Sequence, residues 1–554
     1  MLTTPEGRSR VGILVLCGLV AVSGREVRAQ GGSPPPPAST TTAPAPPAPS
    51  VEQLAEQLRK MEEANRKLAE QLERNDRRHN EEMRVLLERY GDLSNRLSER
   101  ERGAEPVGES FGTVPRPPDG RMRRAYDGNA AAVETPHPDY RDGSETPAPP
   151  GGYYPPTWSS LETDDDEYQL QVNVESQIEA RAWAQGNQDP AHSGFFLPRQ
   201  RFFFRGKITR PIEYELSFNR GLNNINLLNT YLNLHLDDRF QIRFGRYFTP
   251  MNYDQYAISN YWMPTPERSV FTTNVGLGRQ IGLMAWGYLL DDRLDYAVGL
   301  FNGSRNSFES LNNAKDVVGF LNARPFEQSE SLSFLKFLNV GASVAYGNQD
   351  QPPAPASFRV GAGSPDTNIP GTATTPFLIL NPGVIERGQR LLGSVHAAYF
   401  FRGLSLIGEW QYGYNGYATP SRPSSVSVPL SGFYVTGAYF LTGEDVMRRS
   451  RVKPLRPLFP TRKGGPRGLG AWEAVARVSG LRLGESIFTG GFADPDLWSR
   501  SATTTEVGLN WYWNEYFKMY IFWLHADFGE PVHYRVGGFQ RTADMFWLRC
   551  QLYF

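Results

Sequence analysis

The sequence predicts an all-β fold over its C-terminal two-thirds: an antiparallel transmembrane β-barrel of about sixteen strands, preceded by an N-terminal α-helical coiled coil. Three observations predict it. From Tyr168 onward polar and apolar residues alternate with period two. The connections between these segments sort into short and long in turn. The last segment puts Phe546, Leu548, Cys550, Leu552 and Phe554 on one face.

The alternation is explicit in Gln169-Leu170-Gln171-Val172-Asn173-Val174-Glu175 and in Thr230-Tyr231-Leu232-Asn233-Leu234-His235-Leu236. Successive side chains of a strand point to opposite faces. In a membrane barrel the apolar face meets lipid and the polar face lines the lumen. A soluble sandwich would show the same local pattern, so loop lengths must separate the two. Short turns are expected at Arg210-Pro211, Asp238-Arg239, Asp291-Asp292-Arg293, Phe401-Arg402-Gly403 and Asn514-Glu515. Long loops are expected at 187–195, 221–228, 250–278, 303–315, 349–388, 416–431, 481–502 and 529–541. Two connections on the short-turn side, 324–338 and 443–469, are longer than the rest of that side. Eight long loops on one side imply about sixteen strands, an even number as in single-chain bacterial barrels. A sandwich has no reason to sort its loops by parity. After residue 30 no apolar run approaches the ~20 residues of a spanning helix. The terminal strand, closing on Phe554, resembles the signal that outer-membrane insertion machinery reads.

The N-terminal third is organised differently. Residues 1–29 read as a signal peptide: Arg8 and Arg10, an apolar core from Val11 to Val22, and a cut expected after Ala29. Leu16 stands before Cys17 where a lipidation site needs a small residue, which argues against a lipid anchor. Residues 30–50, rich in Pro and Ala, are expected to be a disordered spacer. Over 51–98 apolar residues recur at alternating steps of three and four: Val51, Leu54, Leu58, Met61, Leu68, Leu72, Met83, Leu86, Tyr90, Leu93 and Leu97. That is the seam of a coiled coil, with Asn65, Asn75 and His79 as polar seam positions. A stutter between His79 and Met83 would locally unwind it. Such a helix would be roughly 70 Å long. Residues 99–166 lack periodicity and read as a disordered linker to a barrel over 167–554.

Composition excludes several functions. The net charge of -1 offers nothing to nucleic acid. The two cysteines, Cys17 and Cys550, make no disulfide framework within the mature chain. The seven histidines show no zinc-ligand spacing, so no metal or other cofactor is expected. No Gly-x-Ser-x-Gly elbow or phosphate loop is present, so no enzyme is expected.

Several stretches resemble the phosphate-selective porins, the family of outer-membrane porins O and P. They are Phe244-Gly245-Arg246-Tyr247-Phe248-Thr249-Pro250, Pro266-Glu267-Arg268-Ser269 with Gly278-Arg279-Gln280-Ile281-Gly282, and Tyr434-Val435-Thr436-Gly437 through Leu441-Thr442-Gly443-Glu444 to Gly470-Ala471-Trp472-Glu473. Gly508-Leu509-Asn510-Trp511-Tyr512 and the last residues Leu548-Arg549-Cys550-Gln551-Leu552-Tyr553-Phe554 complete the series. The resemblance spans roughly 168–554. It implies a sixteen-stranded barrel, usually trimeric, whose third long loop folds into the pore. By loop count that loop is 250–278, and the family's Glu-Arg pair maps onto Glu267 and Arg268. The resemblance supports a porin more strongly than it supports phosphate as the solute.

Passage of an anion needs cations where the pore is narrow and least screened. Arginine suits phosphate and carboxylate because its planar fork makes two parallel bonds. In the second strand Phe202, Phe204 and Ile208 share the lipid face, while Arg199, Arg201, Arg205 and Lys207 share the lumen face. If the next turn centres on Arg210, Lys207 faces Glu213 and Arg205 faces Glu215, so both are expected to be paired, with a role in the pore left open. The same register puts Arg201 opposite Asn219 and Arg199 opposite Gly221, so these two are expected to be free lumen cations. Arg243 falls on the lumen face of the fifth strand, and Arg268 and Arg279 flank the constriction segment. A structural ion pair of Arg268 with Glu267 or a wall acid is the alternative role. Lumen acids at Glu175, Glu179, Glu409, Glu473 and Glu506 temper strong anion selectivity. Eight basic residues from Arg448 to Arg467 have no acid between them and fall at the periplasmic mouth.

The expected function is passive diffusion of small anions, with phosphate a candidate, through a homotrimeric barrel set in outer-membrane lipid. The rival expectation is an outer-membrane anchor whose periplasmic coiled coil contacts the cell wall.

Overall fold

The computed structural model describes residues 160–162, 168–184, 191–209, 211–220, 225–363, 367–460, 465–535 and 538–554. The expected signal peptide, spacer and coiled coil, and all of the linker but 160–162, lie outside the described residues.

Sixteen strands follow in chain order: β1 Gln169–Trp183, β2 Gly194–Thr209, β3 Ile212–Arg220, β4 Ile225–Asp237, β5 Phe240–Phe248, β6 Arg279–Leu289, β7 Leu294–Phe301 and β8 Asp316–Ala323. Then come β9 Phe337–Gln351, β10 Ile385–Phe401, β11 Leu404–Thr419, β12 Arg422–Phe440, β13 Ala471–Leu483, β14 Ser501–Tyr512, β15 Phe517–Arg535 and β16 Gly538–Tyr553. Each pairs antiparallel with its sequence neighbours. The sheet closes where Tyr553 of β16 faces Glu175 of β1. Closure removes the edges that an open sheet would expose. The three-residue strand Ser160–Glu162, within the stretch expected as linker, pairs with the start of β1.

The two faces are inverted relative to a soluble protein. On β1 the inward residues Gln169, Gln171, Asn173, Glu175, Gln177, Glu179 and Arg181 are all buried. Outward, Ile178 is 53% exposed. The outer surface continues through Phe202, Phe244, Leu283, Val298, Val344, Val395, Trp410, Val435, Val507 and Ile521, all exposed. Phe546, Leu548 and Leu552 of β16 lie on this same outer surface. A side chain that would aggregate in water is at home here against lipid.

The connections follow the parity expected. Short turns join β2 to β3, β4 to β5, β6 to β7, β10 to β11 and β14 to β15. In the β6–β7 turn Leu290, Asp291 and Asp292 all adopt left-handed backbone. Two expected long loops are absent. Residues 416–431 are largely strand, with β11 and β12 separated only by 420–421. Residues 529–535 and 538–541 likewise belong to β15 and β16. Glycine, serine and proline in these stretches suggest loop, but a hairpin rising above the membrane band tolerates them because its backbone bonds are met within the ladder. At Gly416 a side chain would collide with the carbonyl oxygen of Arg387, so the composition reflects close strand approach. The β9–β10 connection carries a small ribbon of its own, Ser357–Val360 paired with Thr375–Ile379.

Candidate functional site

The connection from β5 to β6 decides the character of the lumen. Every residue of 249–278 is buried except the half-buried Ala257. A loop on the surface would not be. The segment lies inside the barrel, and the wall residues it touches include ones of β2, β6, β8 to β11 and β13 to β16. It folds as a turn at Tyr253–Ala257, a second at Asn260–Trp262 and one short helix, α1, Val270–Val275. Ser269 caps α1 through its hydroxyl, which accepts from the Thr272 amide. Asp254 holds the turn before it, accepting from the Ser269 amide at 3.0 Å and the Thr272 hydroxyl at 2.7 Å.

Buried carbonyls and amides of the loop are satisfied by the wall, as burial demands. Glu409 of β11 accepts from the Tyr253 amide at 3.1 Å. Lys518 of β15 donates to the Met263 carbonyl at 2.7 Å, and Asn510 of β14 to that of Pro264 at 2.8 Å. At the tip, the Tyr261 ring stacks on Tyr553 with centroids 3.9 Å apart.

The strongest ties converge on Glu267. Arg199 of β2 grips it with both guanidinium nitrogens, at 2.9 and 2.7 Å. Arg549 of β16 reaches it from the other side at 2.7 Å and donates also to the Pro266 carbonyl. Burial alone would raise the Glu267 carboxyl; the guanidiniums of Arg199 and Arg549 instead hold it at about 2. Arg549 continues to Glu179, which Arg181 meets at 2.6 Å. Arg477 of β13 pairs with Glu506 at 2.6 Å and donates to the Thr265 hydroxyl and the Glu267 carbonyl, each at 2.7 Å.

Above this network the described parts of the loop 352–384 also turn inward. Asn274 at the end of α1 donates to the Arg359 carbonyl and accepts from its amide, at 2.9 and 2.7 Å. Arg305 donates to the carbonyls of Thr272, Thr273 and Asn274, the last turn of α1, where cationic groups are favoured. Between these elements is a cavity of about 300 Å³, lined by residues including Thr273, Asn274, Arg305, Arg359 and Thr374. Among the described residues its lining holds two arginines and no carboxylate. It shares Thr273, Arg359 and Ala362 with a much smaller void of about 10 Å³, bordered by Glu267, Arg268, Arg477 and Glu506. The smaller void therefore lies where loop and wall arginines meet.

The family model described as phosphate-selective porin O and P matches residues 170–527, more than half of the chain. The chain belongs to that family. Solved structures similar to this phosphate-selective porin family member include the anion-selective porin from Comamonas acidovorans, with 11% identity and a TM-score of 0.41 over 70% of this chain and 100% of that one. Another is Salmonella typhi OmpF, with 14% identity and a TM-score of 0.43 over 71% of this chain and 100% of that one. A third is the channel DcaP of Acinetobacter baumannii, with 10% identity and a TM-score of 0.41 over 72% of this chain and 100% of that one. No match was found among curated proteins. Family membership makes the chain an outer-membrane porin barrel.

Within this porin the register read from sequence holds. Lys207 faces Glu213, Arg205 faces Glu215 and Arg201 faces Asn219. The charge state of the wall needs correction. Arg201 is not a free cation: Glu175, facing it on β1, pairs with it at 3.3 Å. Arg199 is not free either, because Glu267 arrives from the loop. A strand has two neighbours, and partners also come from a folded-in loop; reading β3 alone misses both. Arg205 does pair with Glu215, at 3.1 Å. Lys207 is half-buried and forms no ion pair with Glu213 among the described residues; Glu213 bonds instead to Asn233 at 2.8 Å and His235 at 3.0 Å.

The remaining predicted residues are scattered around the loop. Arg243 is buried against the rings of Tyr231 and Trp286, 4.2 and 5.0 Å from their centroids. Arg279 lies 3.7 Å over the Phe248 ring and donates to Asn229 at 2.7 Å. Arg268 donates to the Ile258 carbonyl at 3.1 Å and to Asn260 at 2.8 Å, within its own loop. The sequence reading missed Arg181, Arg305, Arg359, Arg477 and Arg549. Arg181, Arg477 and Arg549 could have been found, since each falls on the polar parity of its strand.

Proposed function

We propose that this porin passes small anions by passive diffusion, phosphate among them. The observation that carries the reading is the cavity holding Arg305 and Arg359 with no carboxylate among its described residues. Below it, Glu267 and Glu506 border the narrow point, and each is held by arginine. An entering anion meets guanidinium forks in a partly desolvated space, while the acids there are already neutralised. Glu213, Glu386 and Asp254 elsewhere in the lumen keep the preference modest. The family's phosphate-selective members favour phosphate as one solute. We infer a homotrimer from the same family likeness.

The test is the reversal potential of the purified full chain in a planar bilayer under a potassium chloride gradient. Anion preference is expected, reduced by Arg359→Ala. Added phosphate should lower chloride current. A cation-preferring protein would overturn the reading, and chloride current indifferent to phosphate would remove phosphate from it.

A further inference from the structure

The connection 441–470 leaves the barrel at the rim where β1 begins and β16 ends. Its first part turns inward, where Arg449 pairs with Glu473 at 2.5 Å and donates to the Trp262 carbonyl at 3.1 Å. Its later part lies against the outer wall. The Leu458 amide donates to the Trp513 carbonyl at 2.8 Å. The Leu469 carbonyl accepts from two indoles, Trp511 at 2.7 Å and Trp472 at 3.2 Å. Amides of Gly468 and Gly470 bond to the carbonyls of Pro457 and Arg456, each at 3.0 Å, tying the stretches on either side together.

These tryptophans face outward, because the neighbouring Glu473 and Asn510 point into the lumen and are fully buried. Trp472 and Trp511 stack with centroids 5.0 Å apart, and Phe459, Trp513 and Phe517 extend the cluster. The same outer surface runs on through the exposed Val478, Val507 and Ile521. The segment is thus continuous with the lipid-facing band. It presents Leu455, Phe459 and Leu469 at 62%, 55% and 75% exposure. Lys453, Arg456 and Arg467, exposed as well, stand beside them in the chain. Nearby acids are few: Glu444 is buried and accepts from the Leu455 amide, Asp445 is exposed, and Glu515 is half-buried.

We propose that this rim segment is a binding site for anionic phospholipid of the membrane's periplasmic leaflet. Leu455, Phe459 and Leu469 enter the acyl boundary. Lys453, Arg456 and Arg467 hold the headgroup phosphate. Aromatic rings at the interface with apolar and cationic groups around them suit a surface that is oily on one side and anionic on the other. A dissolved anion would leave the exposed apolar groups unexplained. A second copy docked symmetrically would bring the same cations against these.

Native mass spectrometry of the full chain, released from vesicles of phosphatidylcholine with an equal amount of phosphatidylglycerol, tests this. The wild type should retain phosphatidylglycerol preferentially. Lys453→Gln, Arg456→Gln and Arg467→Gln together should lower that preference by about tenfold or more, since each charge near an anionic surface contributes about fivefold. Leu455→Ser with Leu469→Ser should weaken retention of both lipids. Heat-modifiable mobility establishes that each variant has folded; should the triple variant not fold, the three single variants carry the test. Equal retention of the two lipids by the wild type, or an unchanged preference in the charge variants, would overturn the proposal. So would displacement of the lipid by millimolar inorganic phosphate, which marks a soluble-anion site. Loss of oligomeric state in the charge variants would overturn it in favour of a contact between copies.

Discussion

Arg549 of β16 and Glu267 of the inward loop form a buried ion pair at 2.7 Å across 282 residues of sequence. The contact joins the last strand to the inward loop. With Arg199 it ties the loop to two strands of the wall, β2 and β16. Both guanidiniums lose a buried partner if the carboxylate goes.

Glu267→Gln should therefore loosen the loop without unfolding the barrel. Removing one partner of a buried pair costs roughly 3–5 kcal/mol. Greater current noise and faster proteolysis within 250–278 are the expected outcomes, with unchanged heat-modifiable mobility. A quiet, protease-resistant channel would show that the hydrogen bonds of Arg477, Lys518 and Asn510 suffice.

Arg201 and Glu175 should behave as a coupled pair. A double-mutant cycle of Arg201→Gln and Glu175→Gln, read by thermal melting in detergent, should give a coupling of roughly 0.5–3 kcal/mol. Glu175→Gln alone should increase anion preference, and Arg201→Gln alone should decrease it. Strict additivity would mean that the 3.3 Å contact is energetically empty.

Arg268 separates charge from loop structure. Arg268→Lys keeps the charge but cannot bridge the Ile258 carbonyl and Asn260 in the same planar fork. Reversal potential should survive Arg268→Lys and fall in Arg268→Ala, while both variants raise current noise. If Arg268→Lys loses the anion preference completely, Arg268 sets selectivity through geometry rather than charge.

The coiled coil remains a proposal from sequence. A peptide of residues 50–98 should be helical and trimeric by sedimentation equilibrium, matching the inferred symmetry of the barrel. A monomer at high micromolar concentration would remove it. Deleting 31–160 should leave conductance intact. Loss of envelope integrity in that deletion would favour the reading of the chain as an anchor to the cell wall.

Strand parity, the lumen face of β2 and the register from Arg201 to Lys207 against β3 were all legible in the sequence, because period-two alternation and a tight turn are local properties. The inversion of oily and polar faces was legible too, through the sorting of loop lengths and the alternation of Phe546, Leu548 and Leu552 in the last strand. The stretches 416–431 and 529–541 were misread because glycine, serine and proline mark turns only where the backbone is not already paired. What the tertiary structure alone decided is which charges are neutralised. Arg199 finds its acid in a loop 68 residues away, Arg549 finds the same acid 282 residues away, and Arg201 finds Glu175 on the opposite neighbour. Coulomb attraction depends on distance in space, and barrel closure with an inward loop sets those distances without any trace in local spacing.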